Sequence, residues 1–165
     1  MSNVEVHLLA DHPELTHLLA TWFYEQWGRS NPDLSVGRIE RNLQERLNRD
    51  RLPLTLVTFE EGQPVASATL KIREMDTYPQ YPYWLGSVYV LPEHRGRGIG
   101  SHLAEHAAAI AQRLGVRELC LYTPDREKLY ARLGWVTMER TVYRGEAVVI
   151  MRRTLEVRRG FSTLP

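Results

Sequence analysis

Apolar and polar positions recur along the chain with two different periods, and the changes between these periods predict the boundaries of its elements. Residues Val4–Leu9 alternate between apolar and polar, which predicts a first strand. From Asp11 to Trp27 the apolar positions follow helical spacing, and Gly28 is suited to end that helix. Residues Val36–Asn48 repeat the helical spacing on a charged background. Two consecutive helices are therefore expected before most of the strands.

The middle of the chain carries the period of extended strands. The predicted strands are Pro53–Phe59, Val65–Ile72 and Tyr83–Leu91. The sequence EEGQ around Gly62 predicts a hairpin turn between the first two strands. The polar and aromatic stretch REMDTYPQYP, residues 73–82, predicts a loop before the third. Together these segments predict an antiparallel meander.

The last third of the chain returns to alternating helices and strands. The predicted elements are a helix over Ile99–Leu114, a strand over Glu118–Tyr122, a helix over Asp125–Leu133, and a strand pair over Trp135–Glu139 and Ala147–Arg152. The complete order, β-α-α-β-β-β-α-β-α-β-β, contains one strand-helix-strand crossover after the meander. It predicts an α/β (α+β) fold with a mixed, mostly antiparallel twisted sheet of about seven strands flanked by about four helices.

Length and charge narrow the class of protein. The 165 residues suit one domain, which we expect over residues 1–155, followed by a C-terminal tail over residues 156–165. With 21 basic and 20 acidic residues, the net charge of +1 gives no reason to expect a nucleic-acid partner. No apolar run approaches the roughly 18 residues of a membrane span, so we expect a cytoplasmic protein without membrane attachment. A single cysteine, Cys120, leaves neither an intrachain disulfide nor a metal cluster to predict.

The stretch PEHRGRGIGSHL, residues 92–103, stands between a predicted strand and a predicted helix. The first amides of a helix lack internal partners and carry the positive end of its dipole, so anions bind there. Glycines allow the backbone to approach a ligand closely, and arginine side chains add charge-assisted contacts. The candidate phosphate ligands are Arg95, Gly96, Arg97, Gly98, Ile99, Gly100 and Ser101.

Two familiar phosphate-binding signatures are missing from this stretch. The dinucleotide pattern G-x-G-x-x-G ends at Ser101 when it begins at Gly96, and at Leu103 when it begins at Gly98. The P-loop is excluded because no Gly-Lys-Ser/Thr follows. A tight strand-to-helix turn whose glycines only permit close packing remains an alternative interpretation.

Two motifs resemble those of the GNAT superfamily of N-acetyltransferases. Residues Arg95–Gly100, RGRGIG, resemble its R/Q-x-x-G-x-G/A signature, and KLYARLGW, residues 128–135, resembles its L-Y-x-x-x-G-F/W pattern. The element order is also similar, so the resemblance covers nearly the whole chain. It implies the GNAT fold, acetyl-CoA as cosubstrate without a metal, and direct transfer of the acetyl group to a primary amine while both substrates are bound.

The resemblance also implies roles for residues outside the glycine-rich turn. In the family, the strand corresponding to Tyr83–Leu91 separates from the next parallel strand and admits the pantetheine arm, which here implicates Val88, Tyr89 and Val90. A backbone N–H, here that of Val88, polarises the thioester carbonyl. Tyr130 is implied to be the general acid, because a phenol of pKa about 10 is only slightly weaker as an acid than a thiol of pKa about 8.5, so that protonating the departing thiolate is a small uphill step. Thr123 stands where relatives often carry Asn, and its hydroxyl is a candidate contact for the pantetheine.

The acceptor side carries no signature. An alkylammonium of pKa about 10 must lose a proton before it attacks, so a base is expected. Candidate bases are Glu25, Glu60, Glu61, Glu74 and Asp76. Candidate acceptor contacts are Trp22, Glu25, Asp76, Trp84 and Tyr143, since aromatic rings beside carboxylates suit a cationic amine. The same aromatic residues are equally suited to ordinary packing.

Several functions remain open from the sequence. The acceptor is a small amine, an antibiotic amine, or a protein N-terminus or lysine, and the acyl group is acetyl or a longer chain. A CoA-binding sensor or interaction domain without catalysis is the competing class, and a homodimer is left open.

Overall fold

The computed structural model describes residues 3–156, which form one seven-stranded sheet in the order β1-β2-β3-β4-β5-β7-β6. Its strands are β1 Val4–Leu8, β2 Leu54–Glu60, β3 Gln63–Ile72, β4 Tyr83–Val90, β5 Glu118–Thr123, β6 Val136–Tyr143 and β7 Glu146–Thr154. Its α-helices are α1 Thr16–Phe23, α2 Val36–Gln44, α3 Ile99–Arg113 and α4 Glu127–Arg132. The β4–β5 pair is parallel and the others are antiparallel. The predicted mixed sheet and fold class are confirmed, whereas most of the predicted tail lies outside the described residues.

The first predicted helix is broken into shorter pieces. Two 3-10 turns, Leu9–Asp11 and Pro13–Leu15, precede α1, and the π-helical turn Tyr24–Gly28 follows it. Pro13 lacks a backbone N–H, and the residue before it, His12, has φ −137° and ψ 57°, outside the helical region. The chain therefore turns at Pro13 before the α-helix begins.

The two faces of the sheet are covered by different helices. On one face, α3 buries Ile99, Leu103 and Ala107 against strand residues such as Leu70. On the other, α1 and α2 bury residues such as Leu19 and Leu43. None of the helices formed by residues 3–156 is long and apolar enough to cross a membrane.

A β-bulge at Ser87 changes which face the residues of β4 contact. Leu85, Val88 and Val90 all pack on the α3 face of the sheet. In a regular strand, two residues that are three positions apart, such as Leu85 and Val88, lie on opposite faces. Ser87 has φ 51°, and the β3–β4 register shifts beside it. One extra residue at this point therefore restores Val88 to the α3 face.

Candidate active site

The strands β4 and β5 separate soon after they meet. Their register contains one pair, Trp84 with Cys120, whereas β5 pairs with β7 along the whole of Glu118–Thr123. Beyond Trp84, β4 still pairs with β3 as far as Val90. The edge of β4 that faces β5 therefore lacks ladder partners at residues 88–90 among the residues described. Backbone groups on this edge are available to an extended ligand, except for the Val90 carbonyl, which accepts from Arg95 Nε at 2.8 Å.

The glycine-rich turn begins where β4 ends. A 3-10 turn over Pro92–His94 leads to Gly96 and Gly98, which have φ values of 77° and 82°. Other residues rarely adopt these left-handed conformations. A Cβ atom added to either glycine would meet no heavy atom within 4 Å. Because the space beside both positions is open, close packing within this chain does not require glycine at either one. This argues against the alternative interpretation, in which the glycines serve only to let the turn pack closely.

The first turn of α3 is suited to an anion. Gly98 is its N-cap, no side chain caps the first turn, and that turn carries no acidic residue. The amide of His102 donates to Gly98 O at 3.0 Å, whereas the amides of Ile99, Gly100 and Ser101 donate to no other described residue. Unpaired amides at the positive end of a helix dipole fit a phosphate group.

The two arginines of the turn bind protein groups in this structure. Arg97 Nη2 lies 2.5 Å from Glu60 Oε2 and its Nη1 lies 3.0 Å from Glu60 Oε1, while His94 Nδ1 lies 3.0 Å from Oε1. Arg95 donates through Nε to Val90 O at 2.8 Å, and its guanidinium lies above the ring of Tyr89. Both side chains therefore brace the turn against the sheet. Their contact with a phosphate stays a prediction.

Tyr130 is buried in α4 beside the α3 face of the sheet. Its ring packs edge-on against Trp135 at a centroid distance of 6.0 Å. Its hydroxyl makes no hydrogen bond with any residue in the range 3–156. Burial raises the pKa of Tyr130, so the phenol is protonated at neutral pH and is a weaker acid than an exposed tyrosine.

Thr123 ends β5 and shapes the turn into α4. Its Oγ1 accepts hydrogen bonds from the backbone amides of Arg126, at 3.0 Å, and Asp125, at 3.4 Å. A hydroxyl that accepts two bonds keeps one proton to donate. The predicted contact with a pantetheine amide is compatible with this turn.

The two tryptophans proposed as acceptor contacts are buried. Trp22 stacks on Tyr89 at 5.6 Å, within the cluster under α1 and α2. Trp84 is fully buried, and its Nε1 donates to Tyr81 O at 2.5 Å. In this structure both residues support the walls around the candidate site, and Trp84 presents no surface to an acceptor.

The polar acceptor candidates lie in different places. Glu25 is exposed and paired with Arg29 at 2.6 Å, and Asp76 is exposed in the β3–β4 loop. Tyr143 is half-buried at the end of β6, where its hydroxyl donates to the backbone carbonyl of Glu74 at 3.3 Å. The structure therefore brings Tyr143, but not Glu25, next to the β3–β4 loop.

Comparison with known proteins places the chain in a family. The family described as Acetyltransferase (GNAT) family matches residues 12–135, about three quarters of the sequence. Such proteins are acyl-CoA-dependent transferases. This chain belongs to the GNAT acetyltransferase family, which confirms the resemblance of its two motifs. Among curated proteins, none matches the sequence.

Solved structures share its fold. An N-acetyltransferase from Staphylococcus aureus Mu50 is 17% identical with a TM-score of 0.74, covering 94% of this chain and 100% of its own. The protein yncA from Salmonella typhimurium, with its cofactor acetyl-CoA, is 18% identical with a TM-score of 0.72, covering 93% and 94%. An aminoglycoside 6'-N-acetyltransferase complexed with coenzyme A is 13% identical with a TM-score of 0.68, covering 91% and 96%. These similarities confirm the GNAT fold.

Two charged clusters were not anticipated from the sequence. Glu60 is buried at the end of β2 beneath the glycine-rich turn, where Arg97 binds it across 37 positions of sequence. Lys71 and Glu74 form an ion pair against Gly86 of β4. The sequence offered one signal for the second cluster: Gly86 is an isolated glycine inside a strand pattern, and such a glycine often marks a close approach by another group.

Proposed function

We propose that this protein transfers the acetyl group of acetyl-CoA to a primary amine by direct attack, with both substrates bound together. The observation that carries the proposal is the continuity of two backbone surfaces. The unpaired edge of β4 at residues 88–90 leads directly into the glycine-rich turn and the free amides of α3. A ligand with an amide-bearing arm and a pyrophosphate suits this sequence of groups.

The residues present fit acetyl-CoA. The amides of residues 99–101 and the open space beside Gly96 and Gly98 would hold its pyrophosphate. The backbone of Val88, Tyr89 and Val90 would pair with its pantetheine amides, and the N–H of Val88 would polarise its thioester carbonyl. Tyr130, whose phenol is protonated at neutral pH, would supply a proton to the departing sulfur.

Similar proteins support an amine acceptor. The yncA structure contains acetyl-CoA, and the aminoglycoside 6'-N-acetyltransferase is named for an antibiotic amine. We extend to this chain the acetyl donor and the amine class, but no individual acceptor. We place the reaction in the cytoplasm, where acetyl-CoA is available.

The direct test measures CoA thiol release from acetyl-CoA with four chemically different amines. These are putrescine, phenethylamine, kanamycin, and a peptide with a free N-terminus and one lysine. The expected result is amine-dependent thiol release together with an acetylated product identified by mass spectrometry.

Two results would redirect the proposal. Calorimetric binding of CoA without thiol release for any amine would identify a CoA-binding domain that lacks catalysis. Faster release from butyryl-CoA than from acetyl-CoA would identify a longer acyl group as the natural one.

A further inference from the structure

An ion pair lies directly against β4 where the sheet begins to open. Lys71 Nζ is 3.0 Å from Glu74 Oε1, and the two side chains are 14% and 17% exposed. A Cβ atom added to Gly86 would lie 3.2 Å from that nitrogen and 3.3 Å from that oxygen. The carboxylate of Glu74 therefore lies against β4 in the space that a side chain at position 86 would occupy.

The position of Gly86 relates this carboxylate to the candidate active site. Gly86 lies two residues beyond Trp84, which is paired with β5, and one residue before the bulge at Ser87. Tyr122 of β5 is close enough for the charge of Glu74 to help raise the pKa of its phenol, after the larger effect of burial. Glu74 thus lies beside the start of the β4–β5 opening, on the face opposite α3.

The other candidate bases are less well placed. Glu60 is held by Arg97 and His94 beneath the phosphate turn. Glu61 lies at the hairpin turn and accepts from the amide of Asn3. Glu25 is exposed beside Arg29, and Asp76 is exposed. Among these carboxylates, Glu74 alone is both half-buried and in contact with the opened strand.

Cationic groups surround the pair and open space adjoins it. A surface cavity of about 270 Å³ is lined in part by Arg46, Lys71 and Glu74. Burial lowers the pKa of Lys71, and the nearby guanidinium groups of Arg46 and Arg144 act in the same direction, whereas Glu74 opposes them. The titratable groups around Glu74 are Lys71 from β3, Arg46 after α2, Tyr122 from β5 and Tyr143 from β6. Arg144 and Glu146 of the β6–β7 hairpin act on the same group of side chains. Among the described residues, Lys71 is the one donor within hydrogen-bonding distance of the Glu74 carboxylate, so the carboxylate retains the capacity to accept from a further N–H.

We propose that Glu74 binds the acceptor's ammonium group and takes its proton, an inference that rests on the proposed acetyl transfer. The ammonium gives one proton to Glu74, and the freed lone pair forms the C–N bond to the acetyl carbon. The C–S bond breaks, the sulfur takes the proton of Tyr130, and a second amine proton returns to Tyr130. Glu74 releases its proton to water. The sum is ammonium plus acetyl-CoA giving amide, CoA thiol and one proton.

The test compares the pH dependence of kcat/KM for Glu74→Gln and wild type, using the alkylamine from the four-amine panel that wild type acetylates fastest. At about pH 7 we expect a loss of roughly 10²- to 10⁴-fold, the range for general bases. The variant should recover about tenfold per pH unit as the free amine, of pKa about 10, becomes populated. CoA affinity, measured by calorimetry, should be unchanged.

Two further variants separate chemistry from folding. Glu105→Gln removes an ion-paired carboxylate from α3, where it binds Arg153 at 2.8 Å, and should leave the pH profile unchanged. Glu74→Asp keeps the charge but shortens its reach, and should lose rate by roughly tenfold.

The outcomes distinguish the two proposals. A wild-type rate in Glu74→Gln or in Glu74→Asp, or a Glu74→Gln loss that is the same at every pH, overturns the role of Glu74 while acetyl transfer stands. No thiol release by wild type with any amine of the panel overturns the proposed function and this inference with it.

Discussion

Replacement of Gly98 by alanine tests the phosphate site with a single methyl group. Gly98 has φ 82° and ψ 6°, and its added Cβ would enter space that contains no heavy atom within 4 Å. The variant should therefore fold, because nothing in the protein clashes with the methyl group. In the proposed complex the same space holds the pyrophosphate, so the substitution should act on the ligand far more than on the fold.

The two effects have different sizes. Alanine in a left-handed conformation costs about 1–2 kcal/mol, which corresponds to a fall in Tm of roughly 2–8 °C for a chain of this length. Displacing the pyrophosphate from two backbone amides costs about 3 kcal/mol, because a hydrogen bond to a charged group contributes about 1.5 kcal/mol at the low end. The Kd for CoA should then rise by roughly 100-fold.

The matched control lies at the other end of the same helix. Gly115 follows α3 with φ 89°, and its added Cβ also meets nothing within 4 Å. Gly115→Ala should lower Tm by a similar amount and leave the Kd for CoA unchanged in calorimetry. If Gly98→Ala binds CoA within twofold of wild type, or if Gly115→Ala weakens CoA equally, the assignment of the glycine-rich turn to the pyrophosphate is wrong.

Three other substitutions test separate parts of the site. Tyr130→Phe should lower kcat by roughly ten- to a thousandfold with little change in Tm, because the hydroxyl bonds to no described residue; an unaltered rate removes Tyr130 from the chemistry. Glu60→Gln should weaken CoA binding by roughly tenfold because Arg97 loses an ionised partner, whereas Glu105→Gln should not; equal affinities contradict the bracing role. Burial raises the pKa of Cys120 to about 11, so between pH about 9 and about 11 the thiol ionises in the unfolded protein but not in the folded one. The free energy of unfolding of wild type should therefore fall over this pH range relative to that of Cys120→Ala. Denaturation midpoints that change in parallel for the two proteins would contradict this.

The turn and the helices around it were predictable because their signals are local. Periodicity over Ile99–Leu114 predicted α3 to within one residue of its observed end at Arg113. The glycines at 96 and 98 stood between a strand and a helix in the sequence, and both have positive φ values in the structure. Local signals were less reliable at the first helix, which was predicted to begin near Asp11 and Pro13, whereas the structure has two 3-10 turns there and begins α1 at Thr16.

The charged clusters were not predictable because each depends on contact between segments that are distant in sequence. Glu60 and Arg97 meet only because β2 ends beside the turn that follows β4. Lys71 and Glu74 are close in sequence, yet their contact with Gly86 depends on the β3–β4 pairing. Each candidate carboxylate, taken alone, was reasonably expected to be a solvated surface charge. In the structure, burial distinguishes Glu60 and Glu74 from the other candidate bases.

The bulge at Ser87 accounts for how one strand serves both halves of the candidate site. Before the bulge, Gly86 contacts the Lys71–Glu74 pair on the face opposite α3. After it, Val88 packs with the α3 face, on which Tyr130 is also buried. A bulge increases local twist, which is consistent with the loss of β4–β5 pairing beyond Trp84. In the proposed complex the amine approaches Gly86 from the Glu74 face, and the thioester lies along the β4 edge beside Val88. Ser87, a non-glycine residue held at φ 51°, stands between these two positions.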